Sequence, residues 1–259
     1  MKIHRSISLV PLVCLASALS ALSTQAAVSI YLSPNGIESA ETSGINDIQV
    51  TTETFSTGTG YVSSYNGAIG IYAGDGFINA EDIYGGYQEG NYLGIQTGQA
   101  MTVTLTTAAS YFGFYFSAGD AGNVVELFSG GNLLLTFKTG DLIAMLPNTN
   151  GSQIQAINGS LYNTKDYYGQ PNGPNQAATN NEPYAYVHFV GTGGTTFDKI
   201  RFSEPTTATF ETDNHSVRTN APALPGSLVD ITGAVPEPSG AALAAFSFGT
   251  LALFRRRRA

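Results

Sequence analysis

Residues 110–117 constrain the fold most strongly, because aromatic residues stand at both odd and even positions of this segment. It reads Ser-Tyr-Phe-Gly-Phe-Tyr-Phe-Ser. Successive side chains of a β-strand point to opposite faces, so this pattern predicts a central strand that is buried on both faces of a two-layer core. Just before it, residues 100–106 alternate apolar residues with threonines, which is typical of a half-buried strand.

Turn residues divide the rest of the body into further short elements. Residues 123–128 and 133–138 flank Ser-Gly-Gly-Asn, which predicts a β-hairpin. Residues 139–147 predict one short helix, capped by Thr139 and stopped by Pro147. Further strands are expected at 28–32, 47–55, 92–96, 184–190, 197–203, and 207–211 with Val217. Residues 56–90 are expected to form long loops with short strands that the pattern does not place, and residues 148–181 a polar insertion.

About ten short strands, closely spaced turns and one small helix indicate an all-β fold, an antiparallel β-sandwich of jelly-roll type. An N-terminal signal helix and a single C-terminal transmembrane helix are expected in addition. The predicted order is a signal peptide at 1–27, the β-sandwich body at 28–220, a linker at 221–234 and a C-terminal segment at 235–259.

The C-terminal segment has three parts in a fixed order. Val235, Pro236, Glu237 and Pro238 precede an uncharged stretch, which is followed by Arg255, Arg256, Arg257 and Arg258. A helix of about 16 residues covers about 24 Å, and the arginine side chains can reach the interface to make up the remaining membrane thickness. Clustered arginines stay cytoplasmic, so the body is expected on the far side. The predicted membrane anchor contains Ala241, Leu243, Phe246, Phe248, Leu251, Leu253 and Phe254.

These three parts resemble the PEP-CTERM sorting signal of Gram-negative, exopolysaccharide-producing bacteria. The resemblance implies processing by an exosortase, a membrane enzyme that cuts near the Pro-Glu-Pro motif. It therefore makes residues 235–238 a recognition element for another enzyme, which the prolines hold extended. Segments within 92–95, 111–120, 182–187, 197–200 and 210–215 are also similar to one group of exosortase-dependent surface proteins. That second resemblance implies a location and a fold, and no molecular activity.

The N-terminus predicts export. Lys2 and Arg5 precede an apolar stretch at 7–22, and small residues follow up to Ala26 and Ala27. This pattern is typical of a secretory signal peptide cut after Ala26 or Ala27, which implies the general secretion machinery as a partner. The single cysteine, Cys14, lies inside the apolar stretch, so no disulfide or thiolate metal site is expected after cleavage. Transient anchoring in the inner membrane is expected, followed by delivery to the cell envelope or the extracellular space.

Acidic residues dominate the chain between the two terminal signals. Residues 28–234 contain five Lys and Arg against 18 Asp and Glu, a net charge of −13. Nucleic acids and anionic membranes require a basic surface, so neither is an expected partner of the body. Acidity of this kind favours solubility and weak cation binding.

Acidic residues in glycine-rich or turn contexts are candidate calcium ligands. The predicted ligands are Asp75, Glu81, Asp82 and Asp120, with Asn123, Asp213 and Asn214 in similar contexts. Calcium takes six to eight hard oxygens, which loops of this kind can supply. Their spacing matches no EF-hand, and turns or caps are the alternative role for the same residues. No other cofactor is expected.

The residues that would support catalysis are sparse. Paired carboxylates could act on glycosides, but the chain has no tryptophan, which leaves the tyrosines at 84, 87, 167 and 168 as sugar platforms. His188 alternates within an apolar strand and is expected to be a packed or edge residue. Asp213, Asn214 and His215 are too close in sequence to form a catalytic triad among themselves. No Walker A loop, Rossmann fingerprint or zinc spacing is present.

The sequence therefore favours a non-enzymatic surface or extracellular-matrix protein that is sorted by an exosortase. Its body would be a structural or adhesive module. The alternative is a carbohydrate-binding jelly roll supported by calcium, with extracellular polysaccharide as its partner. A glycoside-active enzyme ranks third.

Overall fold

The computed structural model describes residues 27–40, 49–82, 84–85, 90–169, 181–206 and 208–222. Their regular structure is almost entirely β-strand, as expected for the all-β class. The strands are β1 (Ala27–Leu32), β2 (Thr51–Glu53), β3 (Gly60–Asn66), β4 (Gly70–Asn79), β5 (Tyr92–Ile95), β6 (Gln99–Ala109), β7 (Tyr111–Ser117), β8 (Val124–Ser129), β9 (Asn132–Lys138), β10 (Gln153–Gln155), β11 (Leu161–Asn163), β12 (Ala185–Thr192), β13 (Phe197–Glu204) and β14 (Phe210–Arg218). One α-helix, α1 (Thr139–Met145), and a 3₁₀ helix (Thr164–Tyr167) complete the described part.

Twelve of these strands form one antiparallel sheet. Ten follow the path β1-β12-β7-β14-β5-β4-β6-β13-β8-β9, while β2 pairs with β14 and β3 pairs with β4. The two ends of the path, β1 and β9, contact each other, so the sheet is nearly closed. The remaining strands, β10 and β11, form a separate hairpin. The expected all-β antiparallel class with one short α-helix is confirmed.

Strand β7 lies inside the sheet and is buried along its whole length. Phe112, Phe114 and Phe116 belong to the main core, whereas Tyr111 and Tyr115 belong to a smaller group on the opposite face. We call that group the outer cluster; it consists of Ala40, Tyr111, Tyr115, Ala118, Tyr184, Tyr186 and Val190. The prediction that 110–117 contains a strand buried on both faces is confirmed.

The main core lies between two parts of the sheet that face each other. The rings of Phe114 on β7 and Phe202 on β13 have centroids 5.5 Å apart. Phe137 on β9 and Phe189 on β12 are 5.4 Å apart. Strands β7 and β13 are distant along the sheet path, so the rings of Phe114 and Phe202 meet across the interior. Strand β9 contacts β1, which pairs with β12, so Phe137 and Phe189 meet where the sheet nearly closes. Burial of each such side chain stabilises the fold by roughly 1.5–3 kcal/mol.

The predicted hairpin is present as β8 and β9. Gly130 and Gly131 form its two-residue turn between the paired residues Ser129 and Asn132. Both glycines have positive φ, at 54° and 85°. Two-residue hairpin turns of type I′ require this backbone region at both central positions, and glycine adopts it without a steric cost.

The predicted helix is present as α1, but its cap differs from the prediction. Lys138 is the N-cap residue, and its backbone N–H donates to the Asp141 carboxylate at 2.8 Å. Thr139 is the first helical residue and is buried, and its hydroxyl donates to the carbonyl of Asp120. The prediction of Thr139 as the cap was wrong because this tertiary contact engages its side chain.

Residues 56–90 are more regular than expected. Strands β3 and β4 form an antiparallel hairpin, and β4 also pairs with β5 and β6. Most side chains of β3 are exposed. It therefore lacks the apolar alternation that identifies a half-buried strand, which is why the sequence pattern predicts short strands in this segment without placing them.

Two other segments fall partly outside the described residues. The strand expected at 47–55 is present as the shorter β2, and residues 41–48 are not described. The polar insertion expected at 148–181 contains β10, β11 and the 3₁₀ helix, and residues 170–180 are not described.

The terminal predictions fall almost wholly outside the described residues. These are the signal peptide up to Ala26, the linker from residue 223, the motif at 235–238, the anchor helix and the arginine cluster at 255–258. Ala27 is described and begins β1. Within the described ranges, no helix combines the length and the apolar character needed to cross a membrane.

Candidate functional site

An open pocket of about 500 Å³ lies on the outer face of β4, β5 and β14, next to the end of β7. Side chains alternate across a strand, and the residues lining the pocket alternate with residues of the main core. The pocket and the core therefore lie on opposite faces of the same strands. The lining residues on these strands are Phe77, Asn79, Tyr92, Gly94 and Glu211, and the core residues between them are Ile78, Leu93 and Phe210.

Gly94 forms the floor of the pocket. It pairs with Phe77 on β4 and with Glu211 on β14, so these three residues form one row across the sheet. A Cβ atom at Gly94 would lie 2.6 Å from the Asn79 amide nitrogen and 3.2 Å from the Thr209 methyl group. The missing side chain in the middle of this row therefore provides part of the open space.

Three carboxylates from distant parts of the chain converge at the pocket. Asp120 follows β7, Glu182 precedes β12, and Glu211 lies on β14. Burial raises the pKa of Glu211 to about 9, and the charges of Asp120, Glu182 and Asp82 contribute to the increase. Burial and the charge of Asp120 also raise the pKa of Glu182. Negative charge is therefore concentrated here, and Glu211 is protonated at neutral pH.

Two tyrosines, together with Phe77, provide the aromatic part of the lining. The Tyr92 hydroxyl donates to the two oxygens of Asp82 at 3.2 and 3.1 Å. Asp82 also accepts the backbone N–H of Tyr84 at 2.8 Å, so one carboxylate positions both residues. Burial, followed by the charge of Asp82, raises the pKa of Tyr92, and its hydroxyl remains a donor. The Tyr84 side chain is 42% exposed and accessible to a ligand.

The four predicted calcium ligands lie in different settings. Asp75 on β4 accepts a hydrogen bond from the Tyr61 hydroxyl, and Glu81 is exposed. The charges of Asp82 and Asp120 both contribute to the raised pKa of Glu211, so these two residues belong to the pocket region. Across the described ranges, no group of three or more His, Cys, Asp or Glu side chains is arranged to hold a metal ion. Calcium at these four residues stays a prediction.

The four tyrosines that were predicted as sugar platforms also lie in different settings. Tyr84 lines the pocket, and Tyr87 lies outside the described residues. The Tyr167 hydroxyl donates to the Ser33 carbonyl at 2.7 Å inside the fold. The Tyr168 hydroxyl donates to the Leu146 carbonyl at 2.6 Å. These last two side chains are held by internal hydrogen bonds and do not line the pocket.

Glu182 and Glu211 are the two pocket carboxylates that the sequence did not single out as candidate ligands. Glu211 alternates with Phe210 and Thr212 in a short strand, which places it on the face opposite the core. That alternation is the only signal at the sequence level. It does not reveal which other strands lie beside Glu211.

Both histidines of the body are fully buried. His188 lies between the hydroxyls of Ser33 and Tyr111, at 2.8 and 2.9 Å from its ring nitrogens. His215 lies between those of Thr212 and Tyr72, at 2.8 and 3.0 Å. Burial lowers the pKa of each histidine to about 3, so both are neutral in the folded protein. The expectation that His188 is a packed residue is confirmed.

The Asp213-Asn214-His215 segment does not form a triad. The ring of His215 stacks on Phe202 in the main core, with centroids 4.6 Å apart. The charge of Asp213 is among the causes that raise the pKa of Tyr115 in the outer cluster. The two side chains therefore belong to opposite faces of β14.

The pocket combines hydrogen-bond acceptors, one protonated acid, accessible aromatic surface and a strong negative charge. Such a lining suits a polar ligand that carries hydroxyl or amino groups. Comparison of the chain with family models, with curated proteins and with solved structures finds no match.

Proposed function

We propose that this protein is exported and that its body is an adhesive surface module that binds carbohydrate through the acidic pocket. The observation that carries the proposal is the convergence of Asp120, Glu182 and Glu211 around an open space lined by Tyr84 and Tyr92. Carboxylates accept hydrogen bonds from sugar hydroxyls, and a tyrosine ring can pack against the apolar face of a sugar.

The charge of the pocket selects among carbohydrates. Carboxylates disfavour uronic acids and sulfated sugars through like-charge repulsion. They favour neutral sugars, and amino sugars still more, because an ammonium group forms charge-assisted hydrogen bonds with a carboxylate. The ligand class is therefore a neutral or amino-sugar polysaccharide outside the cell.

We also infer that the nearly closed sheet is a β-sandwich of jelly-roll type. The contacts of Phe112 and Phe114 on β7 with Phe202 on β13 support this architecture, because they join two strands that are distant along the sheet path. Two facing layers whose inner side chains interdigitate are the arrangement that defines a sandwich.

Export and sorting follow from the two ends of the chain. The charged and apolar N-terminus supports secretion, and the order of motif, apolar stretch and arginines supports transient anchoring followed by exosortase processing. The net charge of −13 between the signals suits a soluble module outside the cell. The partners on this proposal are the secretion machinery, an exosortase and extracellular polysaccharide.

Binding of oligosaccharides by the full-length chain tests the pocket. Calorimetry with glucosamine oligomers and with neutral glucan oligomers should give a saturable signal for at least one class, and uronic acid oligomers should give none. D120N and E182Q keep the side-chain size and remove charge. Each should weaken the binding of the amino-sugar oligomer by about tenfold or more, because a hydrogen bond to a charged group contributes roughly 1.5–3 kcal/mol.

The matched control is D166N, which removes one charge from an exposed residue outside the pocket. It should leave binding unchanged. No signal with either oligomer class, or equal losses in D166N and D120N, would reject the pocket as a carbohydrate site. Cleavage of the bound oligomer in the same assay would replace the adhesive role by an enzymatic one.

Replacement of Pro236, Glu237 and Pro238 by alanine tests the sorting proposal. The variant should retain its C-terminal segment and stay in the inner-membrane fraction, because the extended motif is the recognition element. Cell fractionation with C-terminal mass mapping measures both effects. Alanine at Pro222 and Pro225 in the linker is the control and should leave processing intact. Normal release of the motif variant would contradict the proposal, as would normal release of a chain with serines at 255–258.

A further inference from the structure

The floor of the acidic pocket belongs to a row of residues that continues beyond the pocket across the sheet. Gly94 pairs with Phe77 on β4, and Phe77 pairs with Tyr61 on β3. Directly paired residues of antiparallel strands place their side chains on the same face. Tyr61 therefore lies on the face that carries the pocket, one strand beyond Phe77. We call Tyr61, Phe77, Gly94 and Glu211 the transverse row.

The burial of the side chains agrees with this orientation. Tyr61 is 55% exposed, whereas the next residue, Val62, packs against the main core. On β4, Phe77 lines the pocket and is half-buried, and it stands between the buried residues Gly76 and Ile78. The accessible surface of the transverse row therefore continues from the pocket onto β3.

Two contacts position the ring of Tyr61. It lies against the ring of Phe77, with centroids 5.5 Å apart and planes inclined at 67°. The Tyr61 hydroxyl donates to the carboxylate of Asp75, an exposed residue on β4 two positions before Phe77. A ring that is already fixed in this way loses little conformational freedom when a ligand packs against it.

The accessible part of the row lies on the β3 side of the pocket. On the other side, Glu211 pairs with Ser117 on β7. Ser117 is fully buried, and its hydroxyl donates to the carbonyl of Tyr84. Tyr61 and Glu211 are separated by three strand spacings, or about 14 Å. A ligand that reaches from the pocket to Tyr61 is therefore longer than a single sugar ring.

We propose that the transverse row is an extended binding site for a polysaccharide chain, which lies across the strands with one part in the acidic pocket and a further sugar unit on Tyr61. This inference rests on the proposed function and adds that the ligand is recognised as a chain of several units. Asp75 beside the Tyr61 ring repeats the combination of carboxylate and aromatic ring found in the pocket. Neutral or amino sugars therefore suit both ends of the row.

Calorimetry of the full-length chain with oligomers of two lengths tests the row. The probes are the disaccharide and the hexasaccharide of glucosamine, and the same two lengths of a neutral glucan. The hexasaccharide of the class that binds should bind about tenfold more tightly than its disaccharide, because it gains the contact with Tyr61. This comparison uses the wild-type protein and does not depend on the folding of a variant.

Tyr61→Ala removes the ring at the far end of the row. The hexasaccharide should lose its advantage, so that the two lengths bind with similar affinity. Tyr61→Phe keeps the ring and removes the bond to Asp75, so the ratio of the two affinities should stay within about threefold of the wild-type ratio. Tyr61 is exposed, and substitutions at such positions change stability little.

The matched control is Leu161→Ala on β11. It removes an apolar side chain of similar exposure, 61%, from the separate β10–β11 hairpin. This variant should keep the wild-type ratio. Absence of binding of all four oligomers would reject the acidic pocket and the transverse row with it. Equal affinity for the two lengths in the wild type, or a wild-type ratio in Tyr61→Ala, would reject the row alone and leave the pocket as a site for short ligands.

Discussion

Replacement of Phe114 by alanine should lower the free energy of unfolding of the full chain by about 4 kcal/mol. The Phe114 side chain is fully buried. The rings around it, all within 6.3 Å between centroids, are those of Phe112, Phe116, Phe189, Phe202, Phe210 and His215. They come from β7, β12, β13 and β14, so the cavity would open between the two facing parts of the sheet and could not collapse through the movement of one strand. Urea denaturation of the two proteins measures the difference.

The control for this prediction is Phe128→Ala on β8, where the same ring is only partly buried. It should cost about 1–2 kcal/mol, since less area returns to water and solvent can fill the gap. Equal losses in the two variants would mean that Phe114 is not at the centre of a closed core. The facing arrangement of the sheet would then be wrong.

The main core was predictable where its signal is local. Phe112, Phe114 and Phe116 stand beside tyrosines in one segment, and this density of rings is enough to place a central strand. The hairpin at Gly130 and Gly131 was equally predictable, because two adjacent glycines satisfy the backbone requirement of a tight turn.

Edge elements were not predictable in the same way. Strand β3 is mostly exposed, with only Val62 and Tyr65 packed partly against the main core, and its one regular feature is its pairing with β4. A polar edge strand has the composition of a loop, so periodicity cannot separate the two. The prediction of Thr139 as the cap of α1 failed for a related reason. The hydroxyl of Thr139 donates instead to the carbonyl of Asp120, from a distant part of the chain.

The acidic pocket depends on sheet order and could not be derived from the sequence. Asp120, Glu182 and Glu211 are widely separated along the chain and meet because β14 lies between β7 and β5. Asp82 and Asp120 were singled out for their turn contexts and do adjoin this pocket. Glu211 shows only the alternation of its strand, and any strand of this kind places half of its residues outward. Glu182 lies before β12, outside any strand.

The stability of the protein should decrease in acid because two neutral histidines are buried. His188 and His215 have pKa values of about 3 in the folded protein, below their ordinary value of 6.5. The unfolded chain therefore binds protons first as the pH falls. Their contribution is fully present above pH 6.5 and is lost as the pH falls toward 3. Each histidine should lower the free energy of unfolding by about 3 kcal/mol as the pH falls from 7 to 4.

Glu211 acts in the opposite direction over part of this range. Its pKa of about 9 lies above the ordinary value of 4.5, so the folded protein holds a proton that the unfolded chain releases. Its contribution is fully present below pH 4.5 and is lost as the pH rises toward 9. Between pH 4.5 and 5.5 the protonation of Glu211 therefore offsets most of the stability that one histidine loses. E211Q should make the loss of stability with acid steeper.

Variants isolate the histidine effect from the other titrating groups. H188Q removes one buried imidazole, and the slope of its unfolding free energy between pH 4.5 and 5.5 should be shallower than the wild-type slope by about 1.4 kcal/mol per pH unit. Phe128→Ala is less stable than the wild type but binds the same protons, so its slope should match the wild type. Urea denaturation at several pH values gives the three slopes. If H188Q and the wild type have the same slope, His188 takes up its proton in the folded state as readily as in the unfolded chain, and it cannot be sealed between Ser33 and Tyr111.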